Sequence, residues 1–466
     1  MDRRVDISWA EIAMAVGVFA IFAVGTVAVG NPLPVLIGMC GIAGLILLGS
    51  DPKKLLYGLI AYSMVVKFLV GDLGLPSVAN YVCDGLLLLT ILFALWRPRE
   101  GYVPSRGLRR VAMVLLLFWV IATVSALLNA VSPVLYIWAC RNTFRLFGIL
   151  FCCVRLLDHD DVFGLVKYFT VFFWINLVVC AYQYFVLGTG QDNTNGLFGT
   201  GSGGNAMMVI LMFAVSALCL FGYSSRRKSM AELIATLAAC CFLAAIAELK
   251  VYYVLLALLI GLSVILNKPS FRNVAIVILA LMALFAGVRL LEAYNPGFAG
   301  FFSLENIVES SSAGGYSNEG ELNRLTAVET LDSMFMNKPT ERAFGLGFGA
   351  GQFTQFFESP LYVIWGEVLH WTWFTDAAIF LETGYVGLAI YVAIFAIIAV
   401  QSVRTRGRTG FDGWLVSACA SIAVLCLVLI VYNCSLTVDP SCYFIGVMLA
   451  FPYILGMKGV PDEQQA

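Results

Sequence analysis

Eight basic residues stand where an apolar chain has least use for them: Lys67, Arg141, Arg145, Lys250, Arg289, Arg324, Lys338 and Arg342. A cation near hydrocarbon costs on the order of 2.5–3.5 kcal/mol at a helix centre and less near an interface, so something has to offset each one. Arg141 and Arg145 are four residues apart, where the chain is expected to turn back into the membrane, and so share one helix face. Lys250 sits with Glu248 at a turn between two apolar runs, and Arg324 falls on the polar side of a helix expected in a long loop. Brought together, these four cations would grip a diphosphate through charge-assisted hydrogen bonds. The competing reading is that each arginine snorkels to headgroups or pairs with a loop carboxylate such as Glu292, Glu305 or Glu309. For the Arg141/Arg145 pair the ligand reading is preferred. Lys67 and Asp84 lie at similar depths in adjacent apolar runs and are expected to form a structural ion pair.

The chain has two histidines. His370 lies just ahead of an apolar run, among Trp365, Trp371 and Trp373, which look like an interfacial aromatic belt. A base working near neutral pH is most often histidine, which makes His370 a candidate. His159 belongs to Asp158-His159-Asp160-Asp161, read as a solvated helix start whose acidic residues suit the helix dipole. The glycines at 345, 347, 349 and 351 have no strand ahead of them to make a dinucleotide loop, and a tight, closely approaching turn is the better reading. No Cys/His cluster has zinc-ligand spacing, and no metal site is expected. Most of the thirteen cysteines lie in apolar runs and act as small hydrophobes; Cys434 and Cys442 flank a short loop and are candidates for a bridge.

The elements that hold these residues are helices in lipid. With 61% hydrophobic and 12% charged residues, a chain of 466 could not hide its apolar surface in one soluble core. Apolar runs fall at about 10–30, 34–50, 55–71, 78–96, 111–130, 144–157, 162–185, 204–222, 231–247, 251–266, 273–290, 376–400, 414–433 and 441–457. The fold class is all-α: a polytopic membrane protein of 12–14 transmembrane helices. The first run follows Arg3 and Arg4 and reads as an uncleaved span. Alternate links hold the basic residues, among them Lys53, Lys54, Arg97, Arg99, Arg109, Arg226, Arg227, Lys228 and Arg404, while the links at 71–77, 188–203 and 435–441 hold none. By the positive-inside rule, both termini are cytoplasmic. Residues 1–290 form the first eleven spans, 291–375 a large, partly helical outer loop, and 376–466 the last three spans and tail. In the loop, Asn318 and Glu321 resemble a capping box, Leu322, Leu325, Val328 and Leu331 form one apolar stripe, and Asn337-Lys338-Pro339 stops that helix.

Three stretches resemble the superfamily of bacterial O-antigen and exopolysaccharide polymerases and O-antigen ligases. They are Tyr182-Gln183-Tyr184 with Asp192 and the run Asn195 to Gly201, then Asn323-Arg324-Leu325 through Lys338-Pro339 to Gly349, then Phe380-Leu381-Glu382-Thr383-Gly384-Tyr385-Val386-Gly387. Their order and the long late outer loop match over most of 135–400. The resemblance implies a membrane-embedded glycosyltransferase that needs no metal or cofactor and no nucleic acid. It would move a glycan from undecaprenyl diphosphate to a sugar hydroxyl on the periplasmic side of a bacterial inner membrane. The diphosphate-holding cations would be Arg141 or Arg145, Lys250 and Arg324. Leu249-Lys250 stands where many relatives have Ser-Arg, and His370 is followed by Trp371 where ligases have His-Asn. The proton of the attacking hydroxyl would pass to His370, Glu248 or Glu367, with inversion at the anomeric carbon. The expected function is a polysaccharide polymerase, its partners being lipid-linked donor and acceptor glycans, membrane lipid and, as a further candidate, a chain-length regulator protein. An O-antigen ligase acting on lipid A core, and a transporter or lipid-linked sugar flippase, are the rivals.

Overall fold

The structure is a computed structural model that describes residues 51–200, 202–267, 270–294, 304–312, 320–353, 357–406, 412–438 and 440–456. The runs expected at 10–30 and 34–50, and Asn318, lie outside those residues. Every apolar run expected from residue 55 onward is helical. The helices are α1 (Pro52–Gly71), α2 (Val82–Trp96, after a 3-10 turn at Ser77–Tyr81), α3 (Arg106–Leu128), α4 (Pro133–Leu156), α5 (His159–Phe185) and α6 (Ser202–Ser224). They continue with α7 (Met230–Ile246), α8 (Lys250–Leu266) and α9 (Phe271–Tyr294). The outer loop adds α10 (Leu304–Ser312), α11 (Ala327–Phe335) and α12 (Pro339–Phe344), and the chain returns through α13 (Thr375–Arg406), α14 (Gly413–Tyr432) and α15 (Ser441–Leu455). Among the described residues nine helices are long and apolar enough to cross a membrane, three more are shorter and apolar, and there is no strand beyond one isolated bridge. The protein is an all-α polytopic membrane protein.

Local sequence sets the helix starts. Asp51 caps α1 with Pro52 in the first turn, Ser105 accepts from the Leu108 amide at the start of α3, and Asp158 and Asp161 close a capping box on α5. The box is not simply solvated as expected. Lys53 of α1 reaches both Asp158 and Asp161, at 2.7 Å from Asp161, and Tyr57 donates to Asp161 at 2.5 Å. Arg99 donates to the Leu157 carbonyl, Arg155 to that of Ala94, and His159 meets Asp412 at 2.8 Å. These contacts tie one end of α1, α2, α4, α5 and α14 together, and the basic links gather there.

The opposite end is built differently. There the Thr200 amide bonds Asp72, the Thr375 amide bonds the Asn433 carbonyl, and Ser125 donates to the carbonyls of Phe344 and Glu382. The outer loop forms a cap with a small core of Leu322, Leu331, Met336, Leu369 and Trp371 that continues into Phe380 and Leu381 of α13. Its first helix boundary differs from the expectation. Glu321, Leu322 and Arg324 precede α11, and Leu325 is exposed, because the chain turns through 324–326 before the helix begins at Ala327. Trp371 is fully buried and donates to the Gly351 carbonyl at 3.0 Å, so it anchors the cap and does not belong to an interfacial belt.

Helix α13 has 32 residues, about 48 Å at 1.5 Å per residue, more than a hydrocarbon core of about 30 Å requires. It breaks at Gly384, whose φ of 65° is left-handed, and a Cβ there would lie 2.5 Å from the Ala343 backbone. The break frees backbone carbonyls, which the protein satisfies: Leu381 accepts from the Leu346 amide at 2.9 Å and Glu382 from the Ser125 hydroxyl at 3.0 Å. Irregular backbone in a membrane bundle is tolerated where protein, not lipid, surrounds it.

Candidate functional site

A cavity of about 400 Å³ opens at the cap end, within the size range of small-ligand sites. Its wall takes Lys67 from α1, Trp138, Arg141, Asn142 and Arg145 from α4, and Glu382 from α13, with Gln352 from the loop after the glycines. Helix α4 begins at Pro133, eleven residues before the span expected from sequence. Arg141 and Arg145 are therefore not at the turn; they lie about 12 and 18 Å along the helix from its first residue. A cation at such depth needs protein or water around it, and here it has both a cavity and partners.

Arg141 sits over the Trp138 ring at 4.4 Å and pairs with Asp84 of α2 at 2.6 Å. Arg145 is buried, donates to the Thr437 carbonyl and lies 3.9 Å from the other Asp84 oxygen. Asp84 thus holds the two arginines, not Lys67, which corrects the pairing expected from their similar depths. Lys67 lines the cavity, and its side chain makes no hydrogen bond or ion pair with another described residue. Asp84 is thus shared by two of the three cations, and the cavity lining supplies a second carboxylate, Glu382.

A chain of side-chain hydrogen bonds crosses the cavity. Arg141 donates to the Asn142 amide oxygen at 2.7 Å, Asn142 to Gln352 at 2.9 Å, and Gln352 to Glu382 Oε1 at 2.8 Å. The Gly351 amide donates to the same oxygen at 3.2 Å. The glycine run makes this approach possible. Gly345, Gly347 and Gly349 have positive φ, and a Cβ on Gly349 would lie 2.9 Å from the Leu135 backbone. The expected close-packed loop is what the chain forms.

The other sequence-derived candidates lie elsewhere. Lys250 opens α8 within electrostatic reach of Glu248, Asp192 and Arg324, and Arg324 stacks over Tyr432 at 4.6 Å. Neither cation lines the cavity, so the four cations expected at one point divide into two groups. Burial raises the Glu248 carboxyl above its ordinary range, the Asp192 charge adds to the rise, and Lys250 opposes it. His370 has a left-handed backbone, stacks on Trp373 at 4.1 Å, and faces Glu321 at 3.8 Å. Glu367 is exposed and accepts from Tyr362 at 3.1 Å; burial, then this bond, pushes the Tyr362 hydroxyl up to about 12. None of the three expected proton acceptors, His370, Glu248 and Glu367, is on the cavity wall. Cys434 and Cys442 are not joined by a disulfide, so the candidate bridge is not formed.

Sequence reasoning missed Asn142, Gln352 and Glu382 as site residues. Two signals were present: Asn142 is adjacent to Arg141, and Gln352 follows the last glycine of the run. Glu382 is a carboxylate in an apolar helix two residues before a glycine, itself an unusual feature. No family model matches the chain, and no curated protein matches it.

Proposed function

We propose that this protein is a membrane-embedded glycosyltransferase of a bacterial inner membrane, with both termini cytoplasmic and the cavity facing the periplasm. It transfers a glycan from undecaprenyl diphosphate to the terminal sugar hydroxyl of an acceptor glycan, as a polysaccharide polymerase does. The observation that carries this reading is the cavity itself: Lys67, Arg141 and Arg145 converge on one space, and Asp84 pairs with the two arginines. Such a space has an excess of positive charge and suits a lipid-borne diphosphate. Leaving-group charge would develop against preorganised donors, so departure needs no other electrophile. The end of the bundle also supports the reading, because the basic links lie at the other end and the positive-inside rule puts them in the cytoplasm. Single displacement inverts the anomeric centre.

A ligase acting on lipid A core would use the same donor site. Whether the product glycan stays on polyprenyl diphosphate separates the two. A transporter or flippase is favoured by one feature, the broken helix α13, since transporters bind substrates at discontinuous helices. Purified protein in nanodiscs and in sealed vesicles, given its host's undecaprenyl-diphosphate-linked repeat units, tests all three. Chain growth with release of undecaprenyl diphosphate is expected. Movement of intact donor across a vesicle membrane without chain growth would overturn the enzyme reading, and product with the donor's anomeric configuration would overturn the single displacement.

A further inference from the structure

Glu382 has the placement of a working group, not of a stray charge. It is 2% exposed in an apolar helix, at the point where that helix is broken, and it belongs to the cavity wall. Gln352 and the Gly351 amide donate to its Oε1, and the Gly349 amide also bonds the carboxylate. The cations and this carboxylate come from different elements: Lys67, Arg141 and Arg145 project from α1 and α4, and Glu382 from α13. The Asn142–Gln352 amide pair spans the interval and fixes the spacing between them. A sugar bound in the cavity with its leaving diphosphate at the cations would share that space with this carboxylate, and in-line displacement needs a proton acceptor on the side of the attacking hydroxyl.

We infer that Glu382 accepts the proton of the attacking acceptor hydroxyl, with Gln352 and the Gly351 amide as its positioning groups. This rests on the transferase reading of the cavity. In the step, the acceptor O–H proton passes to Glu382 as that oxygen forms a bond to the anomeric carbon. The bond from the anomeric carbon to the diphosphate oxygen breaks, and its electron pair leaves on the lipid diphosphate beside Arg141, Arg145 and Lys67. Glu382 then returns its proton to water entering the cavity.

The experiment compares Glu382→Gln, Glu382→Asp and Arg145→Gln in nanodiscs, reading chain growth on host lipid-linked repeat units and, separately, binding of undecaprenyl diphosphate. Loss of a positioned base lowers turnover by about 10²–10⁴-fold. Glu382→Gln is expected to show that loss with lipid diphosphate still bound, and Glu382→Asp to keep part of the activity. The acid limb of the wild-type kcat profile is expected to vanish in Glu382→Gln. If Glu382→Gln turns over within threefold of wild type while Arg145→Gln is inactive, Glu382 is not the base and the transferase reading stands. If Glu382→Gln also loses lipid diphosphate, the carboxylate is a clamp for the glycine loop and the inference is overturned. If wild-type protein neither binds undecaprenyl diphosphate nor extends chains, the transferase reading itself fails.

Discussion

Two groups of charges at the cap end have the same residue types and opposite character. Around Lys250, two cations, Lys250 and Arg324, face two carboxylates, Glu248 and Asp192. Around Arg141 there are three cations, two of them paired with Asp84, and Glu382 is held by an amide side chain and by backbone N–H groups. The first group is balanced and has little left to offer a ligand. The second has charge to spare, and it surrounds a cavity. The difference shows that exposed or buried cations are not a site until their counter-ions have been counted. The basic end makes the same point, since Lys53 there meets two carboxylates and Arg99 and Arg155 are spent on helix-end carbonyls.

The largest effect is expected where the comparison depends on backbone. Gly345→Ala would drive a Cβ into the Glu382–Thr383 backbone at a left-handed φ of 76°. It should cost about 3 kcal/mol or more and undock the cap, seen as a lower unfolding midpoint and lost chain growth. Next comes Arg145→Gln, which leaves a helix former in place but removes one donor from the leaving group. Turnover should fall about 10²–10³-fold, and normal turnover would remove Arg145 from the site. Lys67→Met tests the charge excess most cleanly, because no ion pair with a described residue is broken. Affinity for undecaprenyl diphosphate should drop about tenfold, or about 1.4 kcal/mol, with the unfolding midpoint unchanged.

Smaller effects belong to the balanced regions. Lys53→Met at the basic end should lower stability by no more than about 1 kcal/mol, since that ion pair is partly exposed, and leave turnover intact. A large loss of turnover there would break the contrast between the ends. Glu248 supplies a pH test. Its folded carboxyl binds a proton more tightly than the unfolded one, so its contribution is present below the ordinary value of 4.5 and fades as pH rises through the raised value. Stability should decline across that window, and Glu248→Gln should flatten the slope in thermal unfolding; an unchanged slope would assign it to other groups.

The helices were legible because apolar runs in lipid have one way to satisfy their backbone. So was the Arg141/Arg145 pair, because i and i+4 in one helix stay neighbours whatever surrounds them. The convergence of Lys250 and Arg324 on that pair was not legible. Those residues sit on separate elements, and chain order says nothing of which ends meet. The pairing of Lys67 with Asp84 failed for the same reason: similar depth does not fix rotation about the helix axis, and α4 brought two arginines to Asp84 first.

By itself, then, the sequence determined a many-helix membrane bundle with its basic links at one end, a long loop at the other, and two arginines on one buried face. Hydrophobic run length and local spacing carry that information without any contact between elements. Tertiary packing alone decided that Glu382, Gln352 and Asn142 complete the cavity, and that His370, Glu248 and Glu367 stay outside it. Those placements depend on a broken helix and a glycine loop closing on each other, a long-range fit that no local pattern encodes.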